Sequence, residues 1–153
     1  MNLLKMPDHN CLVYSTAMLL DCSPQDIFEF CGHDGNTSVW HTEPYPYNLR
    51  GFHIQEIVEF AITRGYALIQ LDVRPSHAPT MDVADVCYVP ESKITERLKF
   101  YLDRYDCLLI MSGHACAWER ETKLVYDPNG FTKSIDYKEI ITIFPIIGIK
   151  SDS

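Results

Sequence analysis

The sequence predicts an α+β fold in which helices come first and mainly antiparallel strands follow. Helical spacing of apolar residues dominates the first hundred residues, whereas apolar runs typical of strands dominate after residue 105. Segregated elements of this kind favour an antiparallel sheet with helices packed on it. With 153 residues, of which 46% are hydrophobic, the chain can bury a sizeable core as one domain spanning residues 1–153.

The first two helices have clear start and stop signals. Helix one is predicted over Cys11–Leu20 with Asn10 as its N-cap, and it is apolar around nearly its whole circumference, which is typical of a buried helix. For helix two, Ser23 is the expected N-cap and Pro24 the first helical residue. Gly32 is expected to end it.

The rest of the chain is predicted to contain two further helices and several strands. In order, these are a helix at Ile54–Arg64, a strand at Tyr66–Val73, a helix at Ser92–Leu102, a strand at Tyr105–Trp118 broken by Gly113, a return strand at Leu124–Tyr126, and a final strand region at Ile140–Ile149 interrupted by Pro145.

Two long segments, His33–Arg50 and Arg74–Pro90, lack a regular pattern, and loops of this length are often functional. The aromatic and histidine side chains of the first could line a substrate cleft or pin the loop to the body; they are Trp40, His41, Tyr45 and Tyr47.

Composition excludes several classes of partner and places the chain in a cell compartment. The net charge of −8 and the absence of a basic run argue against nucleic acid. No stretch of 18 apolar residues occurs, so no membrane span is expected, and the first residues lack the pattern of a secretory leader. We therefore expect a cytoplasmic protein whose six cysteines are reduced, with Cys107 and Cys116 packed inside.

Cys11, His114 and Asp127 form a pattern that thiol catalysis requires. A cysteine thiol needs help to ionise at neutral pH, and the start of a helix together with a nearby imidazole provides it. His114 is our candidate base, and Asp127 lies thirteen residues later, where a hairpin turning near residues 120–122 would bring it close. Asn129 is an alternative partner for orienting the imidazole.

These residues resemble the papain-like superfamily of cysteine peptidases, and most closely its bacteriocin-processing (double-glycine) branch. The resemblance rests on the helix at Asn10–Leu20, on GHACAW at Gly113–Trp118 and on VYDPNG at Val125–Gly130, in the family's order of Cys, His and Asp. It implies a papain-like fold and a peptide or protein substrate. It also implies a peptidase that uses a Cys11–His114–Asp127 triad and no cofactor.

One position departs from the family pattern. The family's oxyanion glutamine, about six residues before the nucleophile, corresponds here to Lys5. The Cys11 amide could still donate, with Lys5, His9 or Asn10 as the second donor. Because of this departure, a second interpretation is a module that binds a peptide without cleaving it. A third is an acyltransferase that uses the same thiol.

A metal site is not expected. Cys22, Cys31 and His33 are near one another in sequence, but their spacing is not that of a zinc motif and no fourth ligand is evident.

Overall fold

A computed structural model describes residues 1–7, 9–35, 38–40, 47–49, 52–74 and 90–149. The helices are α1 (Cys11–Leu20), α2 (Pro24–Cys31), α3 (Ile54–Thr63) and α4 (Glu91–Leu102). The strands are β1 (Ser38–Trp40), β2 (Tyr47–Leu49), β3 (Tyr66–Leu68), β4 (Leu71–Asp72), β5 (Cys107–Met111), β6 (His114–Glu119), β7 (Leu124–Asp127), β8 (Phe131–Lys133) and β9 (Thr142–Gly148). A 3₁₀ turn at Tyr137–Glu139 precedes β9.

Seven of these strands form one sheet, in the order β3-β9-β5-β6-β7-β8, with β4 also paired to β9. Every pairing in it is antiparallel, and β1 and β2 form a separate two-stranded pair. The α+β prediction with a mostly antiparallel sheet is therefore confirmed.

The sheet lies between helices on its two faces. On one face, α1 packs through Met18 against Ala117 and Tyr126, where the small alanine allows a close approach. On the other face, Leu98 and Leu102 of α4 join the largest buried cluster together with strand residues. The core is thus two apolar layers separated by the sheet.

All four predicted helices are present, and one detail of each of the first two is corrected. Ser23 accepts a hydrogen bond from the Gln25 N–H at 3.1 Å, as an N-cap should, and Gly32 ends α2 with φ of 77°. Asn10 occupies the N-cap position of α1, but its side chain makes no capping bond. In α2, the sequence pattern predicts an apolar side formed by Ile27, Phe28 and Phe30, but Phe30 is 44% exposed.

The prediction of a break at Pro145 was wrong. Pro145 lies inside β9, opposite Cys107 of β5. The Pro145 carbonyl accepts a hydrogen bond from the Ile69 N–H at 3.3 Å. Because the nitrogen and the carbonyl of a strand residue point to the same side, the Pro145 nitrogen also faces the gap between β3 and β4, where no backbone N–H donor is needed. The expected single strand at 66–73 is divided by this same gap into β3 and β4.

Other strand predictions were incomplete. The run 105–118 folds back at Gly113, with φ of 68°, into the antiparallel pair β5 and β6. The segment 33–50, expected to be irregular, contains β1 and β2, and β8 was not foreseen. Most of the second long segment, residues 75–89, lies outside the described residues. No helix in the described ranges has the length and apolar character needed to cross a membrane.

Candidate active site

The β6–β7 hairpin brings His114 and Asp127 together. Ala117 pairs with Tyr126, so the same register places Cys116 opposite Asp127. His114 is two residues before Cys116 and therefore projects from the same face of the sheet. The turn at residues 120–123 fixes this register locally, which is why the thirteen-residue spacing was informative.

The histidine and the aspartate are in direct contact. Nε2 of His114 lies 3.1 Å and 3.0 Å from the two carboxylate oxygens of Asp127. The Asp127 side chain is only 3% exposed, whereas that of His114 is 24% exposed. The ring therefore has one nitrogen held by a buried acid and the other, Nδ1, available for a reacting partner.

Asp127, and not Asn129, is the group that meets the ring. Asn129 contributes its backbone N–H, which donates to Asp127 Oδ1 at 2.8 Å. Burial acts to raise the pKa of Asp127, but the bonds from Asn129 and His114 outweigh it, and the pKa of this carboxyl lies below its ordinary value. Lys133 adds an ammonium group 3.5 Å from Oδ2. The carboxylate is thus held in its ionised form.

A second thiol, Cys116, also touches the aspartate. Its Sγ lies 3.5 Å from Asp127 Oδ2, and the residue is fully buried. Burial raises the pKa of this thiol, with the Asp127 charge next in importance and a smaller contribution from Cys11. Cys116 therefore stays protonated and acts as a hydrogen-bond donor, which makes it a poor nucleophile.

Sequence reasoning placed Cys116 inside correctly but missed its contact with the acid. The alternation of β6 was the signal that could have found it, because residues 114 and 116 share a face.

Cys11 lies at the end of the molecule where β6 begins. It is the half-buried first residue of α1 and packs in a cluster with Leu108, Ala115 and Phe144. Further along α1, Met18 packs against Ala117. Because α1 and β6 advance in the same direction, the start of the helix and the start of the strand, which is His114, share one end of the sheet.

The contact between α1 and β6 is fixed by a buried hydrogen bond. The Ser15 hydroxyl, one turn after Cys11, donates to the Ala115 carbonyl at 3.0 Å. Ala115 faces α1, so its neighbour His114 starts from the opposite face of the strand. Within the described residues, no hydrogen bond joins the Cys11 thiol to His114.

The segment before Cys11 is tied to the turn after Asp127. The Met6 N–H donates to the Pro128 carbonyl at 2.7 Å, and the backbone of Lys5 forms an isolated antiparallel β-bridge with Asn129. The Lys5 side chain covers Gly130, where an added Cβ would lie 3.1 Å from it. Lys5 is therefore packed along this turn.

The Asn10 side chain, another candidate oxyanion donor, is turned towards a second histidine–carboxylate pair. Its Oδ1 lies over Gly35, 3.1 Å from the position of a Cβ there. The Gly35 N–H donates to His33 Nδ1 at 3.0 Å, so His33 Nε2 carries the proton that it shares with Glu56 at 2.7 Å.

The metal possibilities are limited. Both ring nitrogens of His33 are engaged by Gly35 and Glu56, which argues against the Cys22–Cys31–His33 zinc reading. Ligand atoms of His114, Cys116 and Asp127 lie within 4.8 Å of one another, which is close enough to surround an ion. Lys133 Nζ lies 3.5 Å from Asp127 Oδ2, so the carboxylate of this cluster is already paired with an ammonium group.

The structure does not describe the side chains of the four aromatic and histidine loop residues that the sequence analysis named. Trp40 and Tyr47 lie in β1 and β2, whose side chains are outside the description, and His41 and Tyr45 lie outside the described residues.

Comparisons with known proteins do not place this chain in a family. No protein-family model matches it, and no match was found among curated proteins or solved structures.

Proposed function

We propose that this chain is a papain-like thiol hydrolase that cleaves peptide or isopeptide bonds. The observation that carries the proposal is the contact of His114 with the buried Asp127, 3.0 Å apart, at the end of the sheet where α1 presents Cys11. A histidine oriented by a buried acid beside a helix that starts with a cysteine is the constellation that thiol catalysis needs.

The reaction proceeds in two halves. His114 Nδ1 takes the proton of the Cys11 thiol, and the resulting thiolate attacks the substrate carbonyl carbon, forming a C–S bond. The Cys11 N–H, which has no partner within α1, donates to the oxyanion. His114 gives its proton to the leaving amine as the C–N bond breaks. His114 then takes a proton from water, whose oxygen attacks the thioester, and the acid product leaves as the thiol is restored.

The thiol and the imidazole must approach each other when substrate binds. Catalytic hydrogen bonds are often long without substrate and tighten in the complex. Asp127 supports this step because a carboxylate beside Nε2 favours the tautomer with its proton there, which leaves Nδ1 to accept the proton of the thiol.

The first test is the reactivity of the cysteines toward iodoacetamide, read by mass spectrometry. Cys11 should be alkylated fastest, because Cys107 and Cys116 are buried and burial raises the pKa of both thiols. His114→Ala should slow the labelling of Cys11, whereas the labelling of half-buried Cys22 should stay unchanged. Fastest labelling at any other cysteine would contradict the proposal.

The second test is turnover of a mixed pool of fluorogenic peptides. Cys11→Ala should abolish cleavage and keep the circular dichroism spectrum and melting temperature of the native chain. Cys22→Ala, a matched change at another half-buried cysteine, should leave cleavage intact. Cleavage that persists in Cys11→Ala would refute the assignment of the nucleophile.

A peptide-binding module without catalysis is the second candidate. The observation that favours it is the packing of Lys5 against Gly130, because no glutamine side chain is present there to complete an oxyanion hole. Detection of a thioester at Cys11 by mass spectrometry after acid quenching would exclude this reading. Binding of peptides with neither thioester nor cleavage would establish it.

A further inference from the structure

A cavity of about 450 Å³ opens beside His114 at the end of the sheet. It lies between the β5–β6 turn, β8 and the 3₁₀ turn before β9. Its lining consists of Met111, Ser112, His114, Lys133, Lys138, Glu139 and Ile141. The imidazole therefore forms part of the wall of an open cavity as well as part of the candidate triad.

The charged residues that line the cavity are net positive, whereas the whole chain is net negative. Two ammonium groups and one carboxylate line it, although acidic residues exceed basic ones by eight in the full sequence. Lys133 is partly engaged by Asp127, at 3.5 Å. Lys138 is exposed, and no ion pair to its side chain occurs among the described residues. Lys138 is thus the cation available to a ligand.

The proposed reaction tells which part of a substrate reaches this cavity. The acyl half of the substrate becomes bonded to Cys11, while the amine half receives its proton from His114. The amine half must therefore lie against the imidazole, and the cavity that the imidazole lines is the space open to it.

Resting on the proposed function, we infer that this cavity binds a carboxylate carried by the leaving-group side of the substrate, with Lys138 as the specificity-determining residue. The carboxylate could belong to an Asp or Glu side chain directly after the scissile bond, or to the free C-terminus of a short leaving peptide. Both present the same chemistry to an ammonium group.

Binding of product-like peptides tests the inference without any need for turnover. The probes are Asp-Ala-Ala-amide, Asn-Ala-Ala-amide and Asn-Ala-Ala with a free C-terminus, titrated into the full chain. Binding is read from the ¹³C-methyl signal of Met111, which lines the cavity and is assigned with Met111→Leu. At least one carboxylate peptide should bind about three- to fivefold tighter than the neutral amide, as expected for a partly exposed ion pair.

The lysine variants decide whether the cavity is responsible. Lys138→Gln should remove the preference, and Lys93→Gln, a matched change at a 68% exposed lysine on α4, should keep it. Whichever of the two carboxylate peptides shows the preference identifies the source of the carboxylate. Equal binding of all three peptides, or a preference that survives Lys138→Gln, would overturn the inference.

Cleavage assays separate this inference from the proposed function. Carboxylate-dependent binding without cleavage or thioester formation would leave the cavity as a carboxylate site and overturn only the hydrolase. Cleavage with equal binding of the three peptides would support the hydrolase and overturn the specificity assignment.

Discussion

Replacing Asp127 by asparagine tests whether the charge of this buried group holds the site together. The change keeps the size of the side chain but turns two charge-assisted bonds, from the Asn129 N–H at 2.8 Å and from His114 at 3.0 Å, into neutral ones. Hydrogen bonds to charged groups contribute about 1.5–3 kcal/mol to stability and neutral ones about 0.5–1.5 kcal/mol. Replacing two charged bonds by neutral ones should therefore lower the free energy of unfolding by roughly 2–3 kcal/mol. For a chain of this size that lowers the melting temperature by about 4–12 °C.

The pH dependence of this difference is the sharper part of the prediction. The pKa of Asp127 is lowered in the folded protein, so the charge stabilises the fold above the ordinary pKa of about 3.9 and ceases to do so as pH falls through the folded value. The gap in melting temperature between the native chain and Asp127→Asn should therefore be full at pH 7 and shrink below about pH 4.

The assay is thermal unfolding followed by circular dichroism between pH 7 and pH 2.5. Asp103→Asn, at an exposed carboxylate after α4, is the matched control and should change the melting temperature little at any pH. A gap for Asp127→Asn that is absent at pH 7, or equally large at pH 7 and pH 2.5, would refute the reasoning. In the catalytic assay the same variant should lose roughly 10²–10⁴ in kcat, because the imidazole proton is no longer fixed on Nε2.

Two further predictions concern the fold that supports the site. Leu98→Ala, in the buried face of α4, should lower the free energy of unfolding in urea by about 2–5 kcal/mol, whereas Phe100→Ala, 51% exposed on the same helix, should cost under about 1 kcal/mol. Gly113→Ala should lower the free energy of unfolding by roughly 1 kcal/mol, because Gly113 has a positive φ but no atom near an added Cβ. Gly130→Ala should lower it further, because Gly130 has a φ of 100° and its added Cβ would also lie 3.1 Å from the Lys5 side chain. Equal losses within either pair would contradict the packing described.

Local signals predicted much of the helical structure. Ser23, Pro24 and Gly32 act within a few residues of one another, so the ends of α2 could be found from them. The apolar spacing in α4 identified its buried side, Ile94 and Leu98 among others, because a helical face is a local property. Pro145 misled the prediction because a proline is tolerated in a strand when the neighbouring strand is broken, and that break is set by residues far away in sequence.

The proximity of His114 and Asp127 could be predicted from the sequence, because a short turn sets the register of the hairpin that carries both, although Asn129 stayed open as the partner until the structure showed Asp127 in contact. It also indicated the start of α1 at Cys11, since the helix pattern and its first residue are adjacent. That α1 runs along β6 towards the same end as His114, by contrast, is visible only in the folded molecule. This arrangement depends on packing between segments about a hundred residues apart, such as the bond from Ser15 to Ala115, and no local pattern encodes that packing.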